Sequence, residues 1–206
     1  MYTHPKCRDA SEAEIFAAMR EFPFATLVTT DAEGRLVASH IPLEATHGED
    51  GTLVLFGHVA KRNPQWRVLD PAREVLVIFN GPNAYISPRW YHKPTAPTWN
   101  YIAIQVRGRV EMLDDVELVR GIVRRQIEIH EAGAAEPFTI GGVPPDELEI
   151  DLRAIVGVRI TATGIEAGFK LSQPSDDAEY ANLIDRLNEG TLLDRATAAV
   201  MKRRRQ

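Results

Sequence analysis

A chain of 206 residues, 44% hydrophobic and 26% charged, holds enough apolar material for one domain with a sizeable core and is too apolar to be disordered throughout. Its 24 Lys and Arg against 29 Asp and Glu leave a formal charge of −5, which excludes general attraction to nucleic acid unless positive charge is gathered in one place. A lone cysteine, Cys7, excludes an intramolecular disulfide and a paired-cysteine zinc site, and no run approaches the ~20 apolar residues that cross a bilayer as a helix, so a reducing cytoplasmic setting with no membrane partner is the expectation.

Ser11 followed by Glu14 is a capping box, and Ile15, Met19 and Phe22 recur at helical spacing, which predicts a helix over 11–22 that stops at Pro23. Phe24 to Thr30 and Leu36 to Leu43 read as a hairpin about the turn Asp31 to Gly34. A turn at Gly48 to Gly51 leads into a third strand, Thr52 to His58, and the three together predict an antiparallel meander. Asn63 and Pro64 are a good N-cap and first helical residue for a short helix running through Trp66 and Leu69 to Asp70. The nearly continuous apolar run Glu74 to Asn80 predicts a buried strand ending in a turn at Gly81, Pro82 and Asn83.

Between Tyr85 and Tyr101 the chain carries Pro88, Pro94 and Pro97 and five large aromatics, which predicts a functional loop rather than a spacer. From Tyr101 the pattern alternates, Ile102, Ile104, Val106, Gly108, Val110 and Met112 against Gln105, Arg107, Arg109 and Glu111, as in a long strand with one face in the core. Asp114 to Glu131 reads as an amphipathic helix. Residues 133–150 are rich in Gly and Pro, with a short helix near Asp146 to Leu148. Ile155 to Thr163 and Ile165 to Leu171 predict a final strand pair about Gly164, and a helical C-terminal segment of about 175–206 follows, with helices at Asp176 to Leu187 and Leu192 to Met201. The dense basic run Lys202 to Arg205 reads as a solvated terminal face rather than a DNA-binding arm. Six or seven strands linked through turns, with inserted helices, predict a mainly β, α+β single domain over 1–206.

Three places could carry chemistry. In Gly57-His58-Val59-Ala60-Lys61-Arg62-Asn63-Pro64 a strand ends, two cations follow and a helix start opens, the outline of a phosphate site, although a solvated surface turn has the same spacing. In Ser39-His40-Ile41-Pro42 a hydroxyl and an imidazole sit near a strand end, and Pro42 withdraws a ladder donor. In Pro97-Thr98-Trp99-Asn100-Tyr101 an indole, an amide and a phenol could line a flat heteroaromatic ligand, plug a loop or meet a second subunit. No HExxH, GxSxG or CxxC pattern accompanies them, so no metal site and no catalytic residue is assigned.

These blocks, together with Tyr85-Ile86-Ser87-Pro88-Arg89-Trp90-Tyr91, Ile155-Val156-Gly157 and Lys170-Leu171-Ser172-Gln173, closely resemble the PaiB-like FMN-binding negative transcriptional regulators. The resemblance implies a split β-barrel with peripheral helices, related to pyridoxamine-phosphate-oxidase-like proteins, with FMN held at a homodimer interface. Carried over block by block, it assigns FMN contacts to Ser39, His40, Ile41 and Pro42, to His58, Ala60, Lys61, Arg62 and Asn63, and to Trp99, Asn100 and Tyr101, with phosphate on the Lys61 turn. The chain departs from the pattern at Pro174, where an asparagine is expected after Ser172-Gln173. The family implies transcriptional repression, and DNA as a partner on that ground alone. The alternatives are a flavin-dependent oxidoreductase or flavin reductase and, on His40, His58 or His130, a haem protein.

Overall fold

The computed structural model describes residues 1, 4–93 and 95–205; Pro94 and Gln206 of the segments named above lie outside the described residues. The elements run α1 (Glu12–Glu21), β1 (Phe24–Thr30), β2 (Leu36–Pro42), β3 (Glu44–His47), β4 (Leu53–Ala60), β5 (Glu74–Ile86), β6 (Thr98–Leu113), α2 (Val116–Glu131), α3 (Pro145–Arg153), β7 (Ile155–Lys170), α4 (Asp177–Asn188) and α5 (Leu192–Arg205). Short 3-10 turns occupy Pro64–Val68 and Pro88–Trp90. Among the described residues no helix is long and apolar enough to cross a membrane.

The helix starts follow the sequence. At α1 the Ser11 amide donates to Glu14 Oε2 at 2.7 Å and the Glu14 amide donates back to Ser11 Oγ at 3.2 Å, the reciprocal pair that satisfies two orphan amides. Asp115 caps α2 by accepting from the Glu117 and Leu118 amides, both at 3.0 Å.

The seven strands form one sheet in the order β2-β1-β5-β6-β7-β4-β3. Pairs β1–β2, β1–β5, β3–β4 and β4–β7 are antiparallel. The expected meander is therefore wrong in its third strand. The turn at Gly48 to Gly51 joins β4 to the short strand β3, with Gly51 in the left-handed region at φ 80°, so β4 pairs with β3 and β7 and not with β2. Pro42 ends the β2 ladder for want of an N–H, and the buried Leu43 turns away, its amide donating to Pro23 O at 2.9 Å.

Two expected breaks are also absent. β5 continues through Gly81, Pro82 and Asn83 to Ile86, and β7 passes through Gly164 as a single strand of 16 residues. Neither glycine takes a positive φ, which a tight hairpin turn would have required. Gly164 instead leaves room for a neighbour: an added Cβ would come within 3.3 Å of the Arg107 guanidinium. The helix expected after Asn63 is one five-residue 3-10 turn, and Trp99, Asn100 and Tyr101 stand on β6 rather than in a loop. The alternation read from Ile102 to Val110 holds residue by residue.

The chain forms two compact units. One comprises Met19–Phe79 and Val106–Ile165, the other Met1–Ala18, Asn80–Gln105 and Glu166–Gln206. In the first, Leu27, Leu55, Val77, Val106, Val158 and Ile160 have no exposed surface and form the centre of the core. In the second, Ile86, Leu171, Leu183, Leu187 and Met201 do the same. There the C-terminal basic run is solvated only in part: Lys202 and Arg203 are exposed, while Arg204 and Arg205 are engaged. Arg204 donates to Asp9 Oδ1 at 2.8 Å and Glu14 Oε1 at 3.1 Å and lies over the Phe169 ring, while Arg205 pairs with Asp177 at 2.8 Å over the ring of Tyr180.

Close packing of β6 on β7 depends on Gly108, whose added Cβ would stand 2.7 Å from both Ile160 Cγ2 and the Thr161 carbonyl oxygen. Backbone cannot yield as a flexible side chain does, so Gly108→Ala is expected to cost about 1–3 kcal/mol, read as a lower urea midpoint at unchanged m-value.

Candidate functional site

The turn after β4 is fixed from several directions. The Lys61 amide donates to Ala154 O at 2.8 Å, the Asn63 amide to Ala60 O at 2.9 Å, and Trp66 Nε1 to Lys61 O at 2.9 Å. Asn63 uses both ends of its side chain: Oδ1 accepts from the Gln65 amide at 3.0 Å and Nδ2 donates to Ser39 Oγ at 2.7 Å. Behind it Gln65, with no exposed surface, donates through Nε2 to Leu27 O at 3.0 Å and Val37 O at 3.2 Å. The side chains of Lys61 and Arg62, by contrast, are exposed and make no hydrogen bond or ion pair among the described residues. A rigidly held turn presenting two uncommitted cations gives this surface a local positive charge of the kind that attracts an anion. The cations carry it, because a five-residue 3-10 turn adds little dipole and its capping amide is already engaged.

The other expected contacts fall on different faces. Successive strand residues point to opposite sides, so Ser39, paired with Leu27, faces Asn63, whereas His40, paired with Thr26, faces outward. His40 Nδ1 lies 2.9 Å from Thr26 Oγ1, with the Phe24 ring beside it. Ile41 is buried in the core, and Pro42 O accepts from Gln126 Nε2 at 3.3 Å. His58, Ala60 and Arg62 line a cavity of about 520 Å³ whose other walls include Val123 and Ile127 of α2 and Leu152 of α3. His58 Nδ1 is buried there without a partner, and burial holds the imidazole pKa below its ordinary value, partly countered by a hydrogen bond with Gln126.

The third block belongs to the unit containing Asn80–Gln105. Trp99, exposed, packs edge-on against Tyr85 with ring centroids 6.0 Å apart. Asn100 has no exposed surface; its Nδ2 donates to Ser172 Oγ at 2.9 Å and to Met201 Sδ at 3.4 Å. Asn100 and Tyr101 line an open cavity of about 780 Å³ together with Cys7, Lys170 and Ser172, residues to which the sequence reading gave no role. The block Lys170 to Gln173 was the available signal. Cys7 is buried, and burial pushes its thiol pKa up.

With this geometry in hand, comparison with known proteins defines the class. Residues 1–164 match the family described as "Putative FMN-binding domain". The fold is similar to that of a conserved hypothetical protein from Mycobacterium tuberculosis (TM-score 0.60, 16% identity, covering 86% of this chain and 96% of that one). It is also similar to the FAD and heme binding protein from Mycobacterium smegmatis (TM-score 0.56, 16% identity, 83% and 77% covered). The fold class is that of the flavin-binding split barrels. Within it the chain belongs to the PaiB-like FMN-binding family: it is 36% identical over 187 residues to protease synthase and sporulation protein PAI 2 of Bacillus subtilis, covering 91% of this chain and 89% of that protein.

The depressed His58 pKa has a consequence for stability. The unfolded chain, with an ordinary histidine pKa of about 6.5, takes up this proton before the folded chain does, so stability is full above that pH and falls as pH drops below it. His58→Gln removes the group; its urea midpoint is expected to change less steeply than that of the parent protein between about pH 5 and 6.5, and equal slopes would show that His58 does not contribute.

Proposed function

We propose that this protein is an FMN-binding homodimer acting in the cytoplasm as a negative regulator of transcription of the PaiB type. The observation that carries the FMN reading is the pair of uncommitted cations, Lys61 and Arg62, on a turn whose backbone is fixed by Asn63, Ser39 and Ala154. The phosphate dianion of FMN is the ligand such a pair suits, and family membership supports it. In this reading Asn63 and Ser39 act as positioning residues. His58 Nδ1 is a buried polar atom that a ligand beside Ala60 and Arg62 would satisfy. When bound, the flavin supplies one- and two-electron chemistry.

The outward face of β1 and β2 supports a second copy as the partner. Phe24, 67% exposed beside His40, and Leu36, 76% exposed at the other end of the hairpin, both stand on that face, and a second copy laid along it would cover both. Covering it would bring His40 into the interface, and of the third block it is Trp99, edge-on to Tyr85, that this reading places over a flavin. The regulatory part rests on the resemblance to the PaiB family. Arg204 and Arg205 are bound to Asp9, Glu14 and Asp177, so DNA contact through the C-terminal run is not part of the proposal.

Lys61→Ala is expected to weaken FMN binding by about 1–3 kcal/mol, roughly 5- to 150-fold, in a flavin fluorescence titration; unchanged affinity would place the phosphate elsewhere. The purified protein should show flavin absorption bands and no Soret band, and a Soret band would favour the haem alternative. Leu36→Lys is expected to shift the species seen by light scattering from dimer to monomer. In a gel-shift titration at stated salt, DNA from upstream of the protein's own gene should bind in preference to competitor DNA, and equal binding would remove direct repression.

A further inference from the structure

The cavity of about 780 Å³ in the unit formed by 1–18, 80–105 and 166–206 shares no residue with the Lys61 turn. Its volume lies within the range of small-molecule sites, about 300–1,000 Å³. Its wall carries the ammonium groups of Lys93 and Lys170 and one carboxylate, Glu179, whose Oε1 accepts from the His92 amide at 3.1 Å. Cations therefore outnumber carboxylates on this wall, and Lys170 Nζ, which already donates to Thr98 Oγ1, keeps two further N–H donors for a ligand. Tyr91 and Tyr101 add aromatic surface.

The polar floor is braced as ligand sites are. Asn100 and Ser172 are both buried and bonded to each other, Nδ2 to Oγ at 2.9 Å and Oγ to Oδ1 at 3.2 Å. The second Asn100 donor contact goes to a thioether, Met201 Sδ, which is a weak acceptor that a ligand oxygen would improve on. Ser172 is the one non-glycine described residue with a positive φ, 59°, a conformation that costs energy for any residue with a Cβ. Neighbouring bonds hold it there: Gln173 Oε1 accepts from the Leu171 amide at 2.8 Å, and Gln173 Nε2 donates to Asp9 Oδ1 at 3.3 Å and to Phe169 O. Backbone strain maintained by surrounding braces at the floor of a cavity, beside a buried amide and hydroxyl, is a pattern of binding sites.

We propose that this cavity binds a small aromatic carboxylate, its anion between Lys93 and Lys170, its ring against Tyr91 and Tyr101, and its polar edge on Asn100 and Ser172. The site stands independently of the FMN reading.

The cavity contains its own reporter, because Cys7 lines it and is the single cysteine of the chain. Alkylation of Cys7 by iodoacetamide at alkaline pH, where the buried thiol ionises, followed by intact-mass spectrometry on the full-length protein, reads cavity occupancy, and calorimetric titration gives a second readout that does not depend on the thiol. Benzoate is the probe and inorganic phosphate the comparison. Benzoate is expected to slow alkylation saturably and to raise the melting temperature, with phosphate weaker on both measures. Lys170→Met should weaken the benzoate effect about tenfold, the scale of one charged hydrogen bond. Lys93→Ala, a change at an exposed side chain that leaves the core untouched, should weaken it less.

Alkylation unaffected by millimolar benzoate, or protection undiminished in both lysine variants, would overturn the proposal. Lys61→Ala separates the two sites: it should keep benzoate protection in full while losing FMN affinity. Protection of Cys7 by FMN that persists in Lys61→Ala would make the cavity the flavin's own and would also overturn the assignment.

Discussion

The side chain of Gln65, buried without exposed surface, ties the turn after β4 to both strands of the first hairpin by donating to Leu27 O and Val37 O. One buried amide thereby links backbone carbonyls of both strands, and the same buried donor left without acceptors would cost free energy. Asn63 extends the same bracket to Ser39 and to the Gln65 amide. Everything the turn presents to solvent, the Lys61 and Arg62 side chains above all, is aimed by this amide pair, neither member of which needs to touch a ligand. Rigid support beneath mobile cations is how long side chains are made specific for an anion rather than merely attracted to it.

The second unit solves a related problem with charge. α5 ends in a run of basic residues that favours its C-terminal dipole, and two of them are folded back onto acidic groups from the start of the chain and from α4. Arg204 is only 14% exposed at its side chain, so its pairing with Asp9 and Glu14 is better shielded than a surface ion pair. Together with the Tyr180 hydroxyl, which donates to Met201 O at 2.9 Å, these contacts hold Met201 against Asn100. Arg204 and Arg205 thus work as a fastener, and that removes these two from the inventory of free positive charge.

What was legible in the sequence was local. The box at Ser11 and Glu14 and the alternation from Ile102 to Val110 along β6 each depend on neighbours within a few residues, and each is present as expected. What was hidden depends on partners far along the chain. Gly81 and Gly164 look like turns, and only the neighbours supplied by the fold show that they are extended positions, one of them making room for Arg107. The use of Asn63 for Ser39, 24 residues away, and of Arg204 for Asp9, 195 away, has no local signature at all. The three candidate blocks were found, but strand alternation assigns adjacent letters of a block to opposite faces, which is why Ser39 parts from His40 and Trp99 from Asn100.

The unit assembled from Met1–Ala18, Asn80–Gln105 and Glu166–Gln206 also sets a timetable. Glu14 finds Arg204 across 190 residues of chain, and at a synthesis rate of about 5–20 residues per second the two leave the ribosome roughly ten to forty seconds apart. For that interval α1 has no Arg204 to pair with, and the buried surface around Cys7 and Asn100 lies open. Met19–Phe79 and Val106–Ile165 are complete well before. Until residues 166–205 are made, Met1–Ala18 and Asn80–Gln105 lack the segment they pack with, so on the nascent chain this unit is completed after the other.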